Sequence, residues 1–220
     1  TGTVKPIYED TGNEYRVEVQ IPILDYDTAT VWARLSTFYA SNSFGAFFYP
    51  EVGDEVILGF MNDDPRFPII LGSVYSSALP PPVDIADANN YIKMLMTKSQ
   101  LQLQFDDENI VMTMVTPNNN TVVISDQDQG ITITDENSNQ IQMNADGITI
   151  ESQSSMTIKA ADDLTIQGSS VTITADNDVS VSGSSISASA DQSVSISGNS
   201  ECTMSSSGET NISGSMVNLN

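Results

Sequence analysis

Histidine is absent from this chain, cysteine occurs once, and only seven residues are Lys or Arg. Zinc and redox-metal centres draw on His and Cys ligands, so a zinc or redox-metal site built by this chain alone is not expected. The lone Cys202 likewise excludes an internal disulfide. The few cations stand against 29 Asp and Glu, for a net charge of -22. Nucleic acid needs clustered cations, and an anionic membrane surface repels such a chain, so both are excluded as binding partners. A passing contact with a target membrane is not. No apolar run reaches the roughly 18 residues that a membrane-spanning helix needs. The charge is also uneven: residues 1–99 hold six of the seven cations, and residues 100–220 hold Lys159 against sixteen acids. The chain opens on Thr1-Gly2 with no initiator Met or signal segment, and is expected to be a piece of a longer protein.

What is present is short-strand patterning. Tyr15 to Ile21 alternates polar and apolar residues at period two, and Thr30–Ser36, Glu55–Met61 and Ile69–Val74 read as further strands. Gly45, Pro50, Gly53 and Asn62-Asp63-Asp64-Pro65 punctuate them. No segment has helical periodicity. About five strands in this length suit a small closed barrel of the OB type. Pro80-Pro81-Pro82 then forces a stiff, extended stretch. The expected division is an OB-fold-like barrel over 1–79, a neck over 80–99 and a shaft over 100–220. The shaft opens with two alternating strands, Leu101–Phe105 and Ile110–Thr116.

From about residue 130 a triplet recurs, apolar–polar–apolar with Thr or Ser commonest at its centre. It begins at Ile131, Ile141, Ile148, Met156, Leu164 and Val171, then at Val179, Ile186, Val194, Cys202, Thr210 and Val217. From Ile148 onward, nine steps cover 69 residues, with Gly, Asp, Asn and Ser between the triplets. Each triplet reads as a three-residue strand whose ends point inward and whose centre meets water. One triplet per side gives a triangular prism. The predicted core is Ile148, Ile150, Met156, Ile158, Leu164, Ile166, Val171 and Ile173, followed by Val179, Val181, Val194, Ile196, Cys202 and Met204. Two aliphatic side chains per repeat make too thin a core for one chain to order nearly eight residues. Three chains wound on a common axis resolve that shortage, so a homotrimer is expected. The fold class is all-β: a barrel followed by an intertwined trimeric β-helix.

The run Phe44-Gly-Ala-Phe-Phe-Tyr-Pro-Glu-Val-Gly-Asp-Glu-Val-Ile-Leu-Gly-Phe60 narrows the reading, together with Asp63-Asp-Pro-Arg-Phe-Pro68, Gly72-Ser-Val-Tyr75 and the proline triplet. It resembles the OB-fold of VgrG spike proteins, and the repeat after it resembles the same family's C-terminal β-helix. The resemblance implies a non-enzymatic, membrane-piercing central spike of a contractile injection apparatus, as in type VI secretion or a phage tail. It also implies a hub domain upstream, with hub, tube and baseplate proteins as partners at the N-terminal end. A PAAR-type tip protein would cover the open strand edges at Met216, Val217, Asn218, Leu219 and Asn220. Assembly would take place in a bacterial cytoplasm or virion tail, with delivery outside the cell.

Other readings are weaker. Asp126, Asp128, Asp146, Asp162, Asp163, Asp176, Asp178 and Asp191 could be calcium ligands, but read as solvated turn residues. Asp106 and Asp107 read the same way against glycosidase chemistry. The Thr column at 149, 157, 165 and 172 shows one hydroxyl per strand, where an ice-binding face usually shows two. Trp32, Phe44, Phe47 and Phe48 read as barrel core or subunit contact rather than a ligand-stacking surface. A trimeric adhesin would be expected to carry a distal head. An enzyme on a single-chain β-helix would need longer coils and an acid–base cluster.

Overall fold

The computed structural model describes residues 1–6, 10–23, 29–84 and 88–218. They fall into two units, Thr1–Thr157 and Ile158–Asn220.

The first unit opens with seven strands. These are β1 (Gly2–Val4), β2 (Arg16–Gln20), β3 (Thr30–Leu35), β4 (Ala40–Ser41), β5 (Phe44–Gly45), β6 (Glu55–Phe60) and β7 (Pro68–Ser73). Period-two alternation sends Val17 and Val19 inward from β2 while Arg16, Glu18 and Gln20 line its other face. Val4, Ala33, Val56 and Ile70 join them as a fully buried core, with Val31, Leu35, Tyr49 and Leu58 packed around it. The strands close in the order β1-β2-β3-β7-β6, and β4 pairs only with β5 as a separate hairpin. Strand β3 pairs parallel to β7, and the other barrel pairs are antiparallel. Gly2 is required by the tightness of this closure. A Cβ there would strike Val19 Cγ1 and lie 2.8 Å from the Gln20 carbonyl oxygen. Among the described residues the only helical element is a 3-10 turn at Met61–Asp63.

The rest of the first unit is a seven-stranded antiparallel meander. Its strands are β8 (Ile92–Met96), β9 (Gln102–Asp106), β10 (Val111–Val115), β11 (Thr121–Ser125), β12 (Gly130–Thr134), β13 (Gln140–Asn144) and β14 (Gly147–Glu151). Strand β8 lies in the stretch expected to be a neck. Its residues are apolar on both faces except Lys93, so no alternation marks it in the sequence. The triplets at Ile131, Ile141 and Ile148 pair with neighbours in the same chain, Ile133 opposite Ile141 and Ile141 opposite Ile150.

Each hairpin turn is built alike. Gln100, Ile110, Asn119, Gln129, Ser138 and Gly147 all have positive φ, which reverses the chain within a few residues. A side-chain oxygen at the start of the turn accepts a backbone N–H from further along it. Thr97 serves Leu101, Asp106 serves Glu108 and Asn109, Thr116 serves Asn120, Ser125 serves Asp128, Asp135 serves Asn137 and Asn139, and Asn144 serves Asp146.

Beyond Gly147 no described residue has positive φ. The second unit accordingly makes no hairpin, and its described residues contain no strand ladder within the chain.

Candidate functional site

The acid pairs that could suggest catalysis are occupied by structural work. Asp106 accepts the Glu108 and Asn109 N–H groups and the Asn109 side-chain amide, and that amide chiefly holds its carboxyl below the usual range. Neighbouring Asp107 pairs with Lys93. Among the described residues no three His, Cys, Asp or Glu come together to hold a metal ion. The turn acids read above as solvated form no such group.

What the geometry offers is uncovered apolar surface. Across the meander, strand register aligns one continuous row: Leu95, Leu103, Met114, Val122, Ile133, Ile141 and Ile150. A second row runs Phe105, Met112, Ile124, Ile131, Met143 and Ile148, and begins at Lys93. The opposite face carries Met94, Gln104, Thr113, Val123, Thr132, Gln142 and Thr149 at the matching positions, polar except at Met94 and Val123. Alternation has therefore produced one largely polar face and one apolar face interrupted by Lys93, as a sheet packed on a core requires. Yet no other sheet among the described residues covers the apolar face, and Leu95, Ile133, Ile141 and Ile150 are exposed. It lines a cavity of about 740 Å³ that continues from Leu103, Met114 and Ile141 through Ile150 to Met156 and Thr157.

The second unit repeats this condition. Every predicted core residue from Ile158 to Met204 is exposed in the single chain, Cys202 included. The apolar triplet ends of the unit range from 47% exposed at Val217 to 75% at Ile173. Of the predicted tip-binding residues, Met216, Val217 and Asn218 are exposed, and Leu219 and Asn220 lie outside the described residues.

In the barrel, Asp10 organises the approach to β2. Its carboxylate takes two hydrogen bonds from Arg16, Nη2 at 2.7 Å and Nε at 3.2 Å. The backbone N–H groups of Gly12, Glu14 and Arg16 complete the set. The Arg16 guanidinium, ahead of those amides, holds the carboxyl far below its ordinary range. Of the aromatic residues considered for the barrel core, Phe44, Phe47 and Phe48 are exposed instead and Trp32 is half-buried. The barrel is too small for them: valines and an isoleucine already fill it.

Residues 1–75 match the family described as the type VI secretion system/phage-baseplate injector OB domain. The chain is VgrG-like. It is 36% identical over 59 residues to the type VI secretion system spike protein VgrG4b of Pseudomonas aeruginosa, covering 27% of this chain and 7% of that protein. It is 34% identical over 76 residues to the spike protein VgrG3 of Vibrio cholerae, covering 33% of this chain and 8% of that one. A third VgrG-like relative, also of Vibrio cholerae, is the actin cross-linking toxin VgrG1. It is 33% identical over 76 residues, covering 33% of this chain and 7% of its own. These alignments thus span less than a tenth of each relative's length. The likeness is to the OB-type domain of type VI secretion spike and phage-baseplate proteins, and the chain that carries it is all-β.

Proposed function

We propose that this chain is a non-enzymatic segment of a membrane-piercing spike, assembled as a homotrimer in a contractile injection apparatus. The observation that carries the reading is the apolar surface left open along the chain, first on the meander and then on the triplets. Three sheets facing one another would each cover the others' apolar rows. At about 4.8 Å between strands and about 3.4 Å per residue, each seven-stranded face measures about 490 Å² in plan. Three such faces together come to about 1,470 Å², within the roughly 1,200–2,000 Å² of a stable protein interface. Beyond the meander the triplets have no ladder within the chain. Their backbone groups then pair between chains, as an intertwined triangular β-helix provides. The polar triplet centres face water, and the acidic surface keeps trimers apart.

Force delivered at the barrel end passes down a shaft with continuous ladders and few loops. The residues that act are structural: the inward triplet ends bear the load, and residues 216–220 receive a separate PAAR-type tip protein. Hub, tube and baseplate proteins hold the other end. The chain is assembled in the producing cell or virion tail, is delivered outside, and meets the target membrane transiently. Light scattering on a size-exclusion column tests the reading. A mass three times the chain's 23.6 kDa is expected. A folded monomer would sink it.

A further inference from the structure

From Leu35 to Pro50 the chain carries no charged residue, although its net charge is -22. Six aromatic side chains fall within that stretch. Five of them sit on or beside the β4–β5 hairpin and are open to solvent, Phe38 at 91% and Phe47 at 80%, with Tyr39, Phe44 and Phe48 between. The sixth, Tyr49, packs against the barrel core and donates its hydroxyl to the Tyr15 carbonyl oxygen at 3.0 Å. The hairpin is fastened in place. Ala46 N–H donates to the Tyr39 carbonyl oxygen at 2.8 Å, and Gly45, at φ +145°, allows a close approach to Tyr39 that a Cβ would block.

Its position is defined by the contacts on either side. Before the hairpin, Ser36 N–H donates to the Ile70 carbonyl oxygen as β3 ends. After it, Glu51 pairs at 3.0 Å with Lys98, in the turn between β8 and β9. The chain that follows the hairpin therefore reaches the first turn of the meander at Glu51.

We propose that this hairpin seats on a second copy of the chain, at the level where barrel joins sheet. The inference rests on the three-chain reading above and adds a contact which that reading does not require. Exposed aromatic clusters of this kind mark protein interfaces, where Phe and Tyr are enriched over the rest of the surface. A charged partner surface would lose its hydration opposite sixteen uncharged residues without gaining a counter-charge. The neighbouring copy offers exposed apolar side chains at this same level, Leu101 and Leu95, where the apolar face begins beside the paired Lys98 and Glu51. Barrels tethered to one shaft sit at effective concentrations on the order of millimolar, so a small patch is sufficient.

The test uses the full chain with p-benzoylphenylalanine in place of Phe38, of Phe47 or, as a control on the polar sheet face, of Thr132. The purified trimer is irradiated and run on a denaturing gel. Positions 38 and 47 should give covalent dimer and trimer bands, and position 132 none. A trimeric mass with only monomer bands from 38 and 47, or equal bands from 132, overturns the hairpin contact and leaves the three-chain reading intact. Transfer of the label to added phosphatidylcholine vesicles, with no chain–chain band, also overturns it. A monomeric mass overturns both.

Discussion

Ile133 on β12 and Ile141 on β13 stand directly opposite each other on the apolar face of the meander, and both remain exposed among the described residues. Thr132, one residue earlier, lies on the opposite face across from Gln142. The pair of neighbours makes a sharp comparison. Ile133→Asp should abolish the trimer, because three carboxylates would enter the shared apolar core without partners. Thr132→Asp should leave the trimer mass unchanged. Trimeric Ile133→Asp protein on a size-exclusion column with light scattering would overturn the packing of three apolar faces.

Ile158→Asp applies the same logic to the second unit, where the apolar triplet ends have no covering within the chain. Loss of the trimer is expected here too. Normal assembly of this variant would mean that the triplet ends do not face the axis.

Cys202 gives a readout without changing any inward apolar residue. Its thiol is exposed in one chain. As the first residue of an inward triplet it should be covered in the assembly, so an aromatic disulfide reagent should react at least about tenfold more slowly than in urea. Equal rates in both conditions would contradict the inward placement.

Acid should weaken the folded barrel through Asp10. Its carboxyl is held well below the ordinary value of 3.8 in the folded state, first by Arg16. A depressed folded pKa stabilises the fold above the ordinary value, and that contribution is lost as pH falls below it toward the folded value. Asp10→Asn should therefore lower the barrel's melting temperature at pH 7, by a gap that narrows below about pH 3.8. A gap independent of pH, measured by circular dichroism, would show that the Arg16 pairing is not what the variant removed. Asp64, Asp106 and Asp135 are depressed in the same sense by Arg66, Asn109 and Asn139, and add to the acid sensitivity of the chain itself.

Gly2→Ala should destabilise the barrel by roughly 1–3 kcal/mol, the usual cost of overpacking. Its new methyl would collide with Val19 and the Gln20 carbonyl oxygen across β1 and β2. Gly72→Ala is the control, since a Cβ there meets nothing within 4 Å. Equal denaturant midpoints for the two variants would refute the tight closure.

Much of this was legible in the chain itself because strand alternation records burial directly. Val17 and Val19 alternate with Arg16, Glu18 and Gln20, and four of the five barrel strands lie where the sequence marked them, while the three-residue β1 was too short to show a pattern. The triplet periodicity likewise marked which side chains need covering, since an apolar–polar–apolar pattern has the same meaning in any sheet. Strand β8 was hidden because Ile92, Met94 and Met96 are as apolar as Leu95, and alternation cannot register a strand that is apolar on both faces. Phe44, Phe47 and Phe48 were ambiguous for a related reason: an aromatic residue is compatible with a core or with an interface, and composition does not say which.

The sequence by itself determined an acidic, all-β chain with a closed barrel and a long series of apolar triplets. The tertiary structure decided which triplets find partners within the chain. Those at Ile131, Ile141 and Ile148 are joined by turns whose Ser138 and Gly147 adopt positive φ, which folds the strand back upon its predecessor. From Met156 onward the triplets look the same in sequence, but no described residue among them adopts that conformation. A chain that does not reverse cannot pair antiparallel with itself in short hairpins, so the described residues of those triplets make no ladder with one another within the chain.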